Sequence, residues 1–170
     1  APGYNMMKRP SELKENGVRC ISVGFNYSVG VDNNGKVYVW GKSKISSVID
    51  MKNIPDEIAE ADIVQVSAGT DHAVALASDG SIYCWGNNRL GQCRLPSELV
   101  MNNRTHKINI VKIEASDQFS AALDDKGKIY LWGNENFVEL WVKSEYQGHI
   151  KDVALTNAAF VLLLDDGRVT

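Results

Sequence analysis

The chain has little cysteine and no long apolar run. Three cysteines among 170 residues are an odd and sparse set, which favours reduced thiols and therefore an intracellular protein, cytoplasmic or nuclear. No apolar stretch approaches the roughly 20 residues that a membrane-spanning helix needs. The sequence therefore predicts neither a disulfide framework nor a membrane partner.

An excess of basic residues is also lacking. Lysine and arginine number 18 against 21 aspartates and glutamates, which gives a formal net charge of -3. A protein that coats nucleic-acid phosphates usually has a basic excess, so a nucleic-acid partner is not favoured. Hydrophobic residues make up 44% of the chain and charged residues 23%, which predicts a globular domain with a real core.

Catalytic motifs are absent as well. The chain contains no glycine-rich phosphate loop followed by a helix, no Gly-x-Ser-x-Gly and no His-Glu-x-x-His. Its three histidines match no zinc-ligand spacing with the cysteines. We therefore predict that the protein is not an enzyme and that it needs no cofactor and no metal.

What the chain does contain is an internal repeat. Trp-Gly recurs three times, each time with a tyrosine two residues earlier and a turn glycine five residues earlier. A further turn glycine, Gly167, begins a fourth copy that is cut short at Thr170. Residues that recur in register are expected to be structural, namely Gly35, Trp40, Gly41, Gly69, Gly80, Trp85, Gly86, Gly127, Trp132 and Gly133.

Each copy of the repeat predicts strands. Apolar runs at 73–76 and 82–85 flank Asp79-Gly80, and an Asp-Gly turn between apolar runs is a strong hairpin signal. A third apolar run precedes each hairpin and predicts another strand. The proline-led segments at 10–13, 55–58 and 96–99 fit either a short outer strand or one turn of helix.

Three or four short strands in every 40 to 50 residues are the unit of a β-propeller. The predicted fold is therefore all-β, with about three and a half propeller blades. The expected units are a lead-in at 1–9, blade 1 at 10–54, blade 2 at 55–95, blade 3 at 96–136 and an incomplete, degenerate blade 4 at 137–170. Blade 3 carries a six-residue insertion within 100–107, which we expect to be a polar loop.

The second copy resembles a repeat of the regulator of chromosome condensation family. The resemblance lies in Ser67–Leu76, Asp79–Asn88 and Gly91-Gln92, and it weakens in the other copies. It implies a seven-bladed propeller, of which this chain would supply about half. The missing half has three candidate sources: the rest of a longer chain, a second copy that pairs with this one, or another chain that completes the ring.

Two places depart from the repeat and are candidate protein-binding sites. The first is the turn after each upstream glycine, and the second is the insertion in blade 3. The candidates are Phe25, Asn26, Tyr27, Asp71, His72, Gln118 and Phe119 in the turns and Asn103, Arg104 and His106 in the insertion. The alternative for Tyr27, His72 and Phe119 is a structural role, because they share one repeat position. Trp141 is out of register and either packs blade 4 or forms a surface anchor.

The sequence thus predicts a non-enzymatic scaffold that presents propeller end loops to a protein partner. Three alternatives stay open, of which the first two are implied by the resemblance and the third by the half-propeller. One is guanine-nucleotide exchange on a Ran-like small GTPase, the second is a protein inhibitor of an enzyme, and the third is a structural part of a large assembly.

Overall fold

The computed structural model describes residues 9–134, 142–157 and 159–170. Within these residues the chain forms four antiparallel sheets, three with three strands and one with two, which confirms the predicted propeller blades. The strands are β1 (Val18–Val23), β2 (Tyr27–Asp32), β3 (Val37–Gly41), β4 (Ile63–Ala68), β5 (His72–Ala77), β6 (Ile82–Gly86), β7 (Ile110–Ala115), β8 (Phe119–Asp124), β9 (Ile129–Gly133), β10 (Ile150–Leu155) and β11 (Phe160–Leu164).

The turn between the second and third strands of a blade is built by its aspartate and glycine. In the first sheet, Asp32 Oδ1 accepts hydrogen bonds of 2.9 Å from the main-chain N–H groups of Asn34 and Lys36. Gly35 has a φ of 78°, which a residue without a Cβ adopts at little cost. Asp124 makes the same two contacts in the third sheet. This aspartate and glycine therefore shape the hairpin turns of the first and third sheets.

Among the described residues, one α-helix precedes each of the first three sheets, and a 3-10 helix (Ser144–Tyr146) precedes the fourth. The α-helices answer the question that the proline-led segments left open. They are α1 (Ser11–Asn16), α2 (Asp56–Glu60) and α3 (Ser97–Thr105), and each starts directly after its proline. Proline suits this place because it stands before the first helical residue, where its missing N–H removes no hydrogen bond of the helix. Each helix buries one aliphatic residue of the repeat, Leu13, Ile58 or Leu99.

The insertion in blade 3 is not the loop that we expected from its polar composition. Residues 100–105 instead extend α3 to nine residues, and the helix ends at His106 with a left-handed φ of 53°. Two asparagines hold it against the preceding hairpin. Asn102 Nδ2 donates to the carbonyls of Gly80 and Ile108, and Asn103 both donates to and accepts from the main chain of Ile82. These side-chain hydrogen bonds explain why this polar segment forms an ordered helix.

The sheets pack face to face, with β1, β4, β7 and β10 next to one another at the inner edge. Because side chains alternate along β5, this strand packs against the sheets on both of its sides. Ala73, Ala75 and Ala77 face the first sheet, whereas Val74 and Leu76 face the third. Each fully buried aliphatic side chain contributes about 1.5–3 kcal/mol, so the stability of a blade depends on its neighbours.

The first sheet has one open face in the described residues. Ile21 is 49% exposed, whereas Val66, at the same position of the next blade, is 5% exposed. Val23 is 69% exposed and its counterpart Ala68 is 8% exposed. The difference arises because a preceding sheet covers Val66 and Ala68. That a second copy or another chain covers this face stays a prediction. In the described part of the chain, no helix combines the length and apolar character that crossing a membrane requires.

Candidate functional site

Two kinds of loop lie at one end of the first three blades: the turn after the inner strand and the segment after the outer strand. The turns at 24–26, 69–71 and 116–118 lie beside the segments that follow the outer strands, because a main-chain hydrogen bond of 2.8–3.0 Å joins them in each of the first three blades. The three bonds run from Lys42 to Asn26, from Asn87 to Asp71 and from Asn134 to Gln118. We name this surface the Phe25 end. The opposite surface, with the Asp-Gly turns and helices α1–α3, is named the helix end.

A cavity of about 260 Å³ opens at the Phe25 end, where the inner strands finish. Its lining comes from four sheets and includes Val23, Phe25, Thr70, Ser116, Asp117, Leu155 and Asn157. Two glycines let the turns approach closely here. A Cβ on Gly69 would lie 2.1 Å from the carbonyl oxygen of Ser116, and one on Gly24 would lie 2.7 Å from that of Gly69. Any side chain at either position would force the blades apart.

Phe25 is the most exposed aromatic side chain among the described residues. It is 75% exposed at the rim of the cavity, and Val23 beside it is 69% exposed. The same repeat position holds Thr70 in blade 2 and Asp117 in blade 3, so the fold does not require a phenyl ring there. The described blades therefore leave the Phe25 ring exposed without using it in their own packing.

Tyr27 and His72 lie inside the fold, with exposures of 2% and 0%. Tyr27 Oη lies 2.8 Å from the carbonyl oxygens of both Gly69 and His72 and shares its single proton between them. His72 Nε2 is 2.9 Å from Ser120 Oγ in the following blade. Both side chains thus connect one blade to the next and cannot reach a partner. Burial also raises the pKa of the Tyr27 phenol far above its usual value.

His72 and Ser120 share a hydrogen bond inside the fold. Ser120 Oγ also lies 2.9 Å from the carbonyl oxygen of Gln92. The ring tautomer of His72 decides whether Nε2 donates to Ser120 Oγ or accepts from it. Nδ1 is buried and has no partner in the described structure. Because burial disfavours a charged ring, the pKa of His72 falls to about 4.

The remaining turn candidates also serve the scaffold. Phe119 is 9% exposed. Asp71 Oδ2 accepts a hydrogen bond of 2.7 Å from Asn87 Nδ2, and Gln118 Oε1 accepts one of 2.6 Å from Asn134 Nδ2. These side chains fasten the turn to the segment after the outer strand. Of the seven turn candidates, Phe25 and Asn26 are left as exposed.

The candidates in the insertion lie at the helix end, away from Phe25. Arg104 and His106 are exposed there, and His106 Nδ1 is 3.7 Å from Asp79 Oδ2. Asn103 is occupied by the main chain of Ile82. The structure therefore does not bring the two predicted groups together into one site.

The tryptophans of the repeat mark the contact between blades. Trp85 Nε1 donates to the carbonyl of Met51 at 3.0 Å, and Trp132 Nε1 donates to that of Gln92 at 2.8 Å. They are 4% and 5% exposed, whereas Trp40 is half-buried. Each indole thus binds the segment that follows the outer strand of the preceding blade. Trp141 lies outside the described residues.

These contacts reveal a loop that the repeat pattern did not single out. Met51 follows Trp40 by eleven residues, whereas Gln92, in the same role, follows Trp85 by only seven. Blade 1 therefore has four additional residues after its outer strand. The signal was present in the sequence, because Trp40 to Pro55 spans fifteen residues and Trp85 to Pro96 spans eleven.

Metal chemistry finds no support in the part of the chain that the structure describes. No group of three or more histidines, cysteines, aspartates or glutamates there could hold a metal ion. Cys20, Cys84 and Cys93 are free thiols.

Comparisons with known proteins identify the repeat. Residues 18–44 and 63–92 match the family model of the regulator of chromosome condensation (RCC1) repeat, and each match begins at the inner strand of a sheet and runs past the outer one. No curated protein matches the chain by sequence.

Several solved structures share the fold. Human WBSCR16 is 16% identical with a TM-score of 0.65, and the match covers 89% of this chain and 46% of that one. Yeast RCC1 (Prp20), solved with Kap60 bound, is 18% identical with a TM-score of 0.64, over 88% of this chain and 42% of that one. Prp20p from Saccharomyces cerevisiae is also matched in a second structure, at 20% identity and a TM-score of 0.60, over 85% and 41%.

The chain spans less than half the length of these structures. At such low identity the likeness shows the fold alone. Together with the repeat matches, it agrees with sheets that pack face to face through their tryptophans. Two segments of the chain therefore match the repeat of the regulator of chromosome condensation family, and the sheets fold as consecutive blades of a β-propeller.

Proposed function

We propose that this chain is a non-enzymatic protein-binding module whose contact surface is the Phe25 end. One observation carries the proposal. Phe25 exposes 75% of its surface at the rim of a cavity that four sheets build, although its repeat position accepts polar residues in the other blades. Exposed aromatic side chains beside a concave surface are frequent anchors of protein interfaces.

The surroundings of Phe25 support a preformed surface. The turns of the two following blades are fastened by the Asp71–Asn87 and Gln118–Asn134 hydrogen bonds, so little order has to be gained there on binding. Burial of an exposed phenyl ring contributes about 1.5–3 kcal/mol, which corresponds to roughly tenfold or more in affinity.

The comparisons support a protein partner in general terms. Prp20 was solved with Kap60 bound, and Prp20p has been described with its binding to Gsp1p and histones. All of these are proteins, and part of Prp20 shares the fold of this chain. The partner of this chain is left open by these comparisons.

Affinity capture with matched variants tests the proposal. The full chain is used as bait beside Phe25→Ala and beside Arg104→Ala, an exposed position at the helix end. Phe25→Ala is expected to weaken binding of the captured protein about tenfold or more, and Arg104→Ala to leave it unchanged. Equal binding by wild type and Phe25→Ala would overturn the proposal.

The identity of the captured protein also separates the alternatives. A small GTPase would be tested for nucleotide release, and an enzyme for loss of its activity in the complex. Faster nucleotide release would favour the exchange function, and lost activity would favour an inhibitor. A stable complex with many copies would favour a structural role in an assembly.

A further inference from the structure

We infer that the loop of residues 42–52, here named the lysine loop, binds an acidic segment of the protein partner that also carries aliphatic side chains. This inference rests on the proposed protein-binding function and specifies the chemistry of the partner.

The loop is longer than the fold requires. Blade 2 reaches the carbonyl that anchors the next tryptophan in seven residues, whereas blade 1 takes eleven. The base of the loop makes the contacts that join blade 1 to blade 2. Met51 is fully buried, its N–H donates to Ser43 at 2.9 Å and its carbonyl accepts the Trp85 indole. The tip at 45–49 is additional chain that the contact between blades does not use.

The tip is ordered by its own hydrogen bonds. The N–H of Ile45 donates to the carbonyl of Ile49 at 2.8 Å, and Ser46 Oγ accepts from the N–H groups of Val48 and Ile49. This local order presents Val48 at 81% exposure and Ile45 at 36%. A rigid loop that displays aliphatic side chains loses little conformational entropy on binding.

Three lysines flank these aliphatic residues along the chain. Lys42, Lys44 and Lys52 are exposed, against one carboxylate, that of Asp50. Asp50 is used inside the loop, since its Oδ1 accepts from Lys52 N–H at 3.0 Å and from Ser43 Oγ at 2.7 Å. The loop is thus locally basic on a chain of net charge -3, which suits an acidic partner.

The position of the loop makes it part of the same surface as Phe25. The N–H of Lys42 donates to the carbonyl of Asn26, the neighbour of Phe25, at 2.8 Å. Arg89, in the corresponding segment of blade 2, is also exposed and extends the basic surface. A partner that covers Phe25 would therefore meet these cations with its adjoining segment.

The aliphatic side chains favour a protein over a nucleic acid as the source of the negative charge. Single-stranded nucleic acids are held by cations together with aromatic stacking, whereas the tip offers valine and isoleucine. Two aliphatic side chains also bury too little area for firm binding to a membrane surface. A peptide that mixes carboxylates with aliphatic side chains matches both properties of the loop.

Selection from a phage-displayed library of random 12-residue peptides tests the inference. The baits are the full chain, Lys42→Gln/Lys44→Gln/Lys52→Gln, Val48→Ser, and the control Lys14→Gln/Lys107→Gln/Lys126→Gln, whose lysines are exposed away from the loop. We expect the wild type to select peptides rich in Asp or Glu and in Leu, Ile or Val. Binding of these peptides should fall at least tenfold in both loop variants and stay unchanged in the control.

Other outcomes overturn the inference. They are selection of peptides without acidic enrichment, no selection at all, or equal binding by the loop variants when thermal unfolding shows them intact. The loop would be assigned to a nucleic acid or a membrane instead if an oligothymidylate of 20 nucleotides, or phosphatidylserine vesicles, bound more tightly than the selected peptides. That binding would also have to be lost in the triple lysine variant. If captured protein is lost with Phe25→Ala but kept by both loop variants, the inference fails while the proposed function stands.

Discussion

The phenol of Tyr27 donates a hydrogen bond of 2.8 Å to the carbonyl of His72, the residue that holds the same repeat position in the next blade. His72 in turn contacts Ser120 in the third blade. One position of the repeat therefore links blade 1 to blade 2 and blade 2 to blade 3. The side chain that makes the link differs from blade to blade, but its direction does not.

Removal of the Tyr27 hydroxyl should destabilise the chain. Tyr27→Phe leaves the buried carbonyls of Gly69 and His72 without this donor, which costs about 1–3 kcal/mol. Tyr83→Phe, at a half-buried tyrosine of β6, is the control and should cost less than about 0.5 kcal/mol. Urea unfolding followed by tryptophan fluorescence measures both. Equal midpoints for Tyr27→Phe and wild type would contradict the link between blades.

Stability should fall below pH 6.5 because of His72. Its pKa is about 4 in the folded chain against 6.5 for the free side chain, so only the unfolded chain takes up the proton between these values. The free energy of unfolding should therefore decrease as the pH falls through this range, by about 1.5 kcal/mol between pH 6.5 and pH 5. Below pH 4 this contribution levels off, and above pH 6.5 it vanishes.

The variant His72→Gln isolates this dependence. It should lose the slope between pH 6.5 and pH 5 whatever its overall stability, whereas His149→Gln, at an exposed histidine, should keep the slope. Urea unfolding at several pH values provides the comparison. A slope that persists in His72→Gln would show that another group takes up the proton.

Gly69 should not tolerate a side chain. Its Cβ would lie 2.1 Å from the carbonyl oxygen of Ser116 and close to the His72 ring, so Gly69→Ala should cost at least about 2 kcal/mol. Ser116 holds the same repeat position in blade 3, and Ser116→Ala is the control, with an expected change below about 1 kcal/mol. Thermal unfolding distinguishes them. Similar melting temperatures would contradict the close approach of the turns.

The three repeat tryptophans should not be equivalent. Trp85→Phe removes the donor to the Met51 carbonyl and leaves a cavity between two sheets, at a cost of about 2–4 kcal/mol. Trp40 is only half-buried, so Trp40→Phe should cost less than about 1.5 kcal/mol. Equal losses in denaturant unfolding would mean that Trp40 is packed as tightly as Trp85.

Much of the fold followed from the spacing of a few residue types. Asp-Gly turns and Trp-Gly strands predict hairpins because both depend on local backbone geometry, and the structure has them at those positions. The helices at the proline-led segments could not be settled, since proline suits an edge strand and a helix start equally well. The extension of α3 was missed because its order depends on contacts of Asn102 and Asn103 with a hairpin 21 to 22 residues earlier.

The candidate site was harder to predict than the fold. A departure from the repeat marked Phe25 and Tyr27 alike, yet one is exposed and the other buried. Only the packing of neighbouring blades separates them, because the Tyr27 ring reaches across to Gly69. The additional length of the lysine loop is visible in the Trp-to-Pro spacing of the sequence. Its position within the loop is known only from the structure, where the carbonyls of Met51 and Gln92 accept equivalent tryptophan hydrogen bonds.

Hydroxyl-radical footprinting of the complex with the captured partner tests the central claim most directly. Phe25 and Met101 are both reactive side chains, 75% and 64% exposed, at the Phe25 end and on α3 at the helix end respectively. The proposed function predicts that oxidation of Phe25 slows several-fold on binding while oxidation of Met101 stays constant. Protection of Met101 with unchanged oxidation of Phe25 would contradict it and place the partner at the helix end.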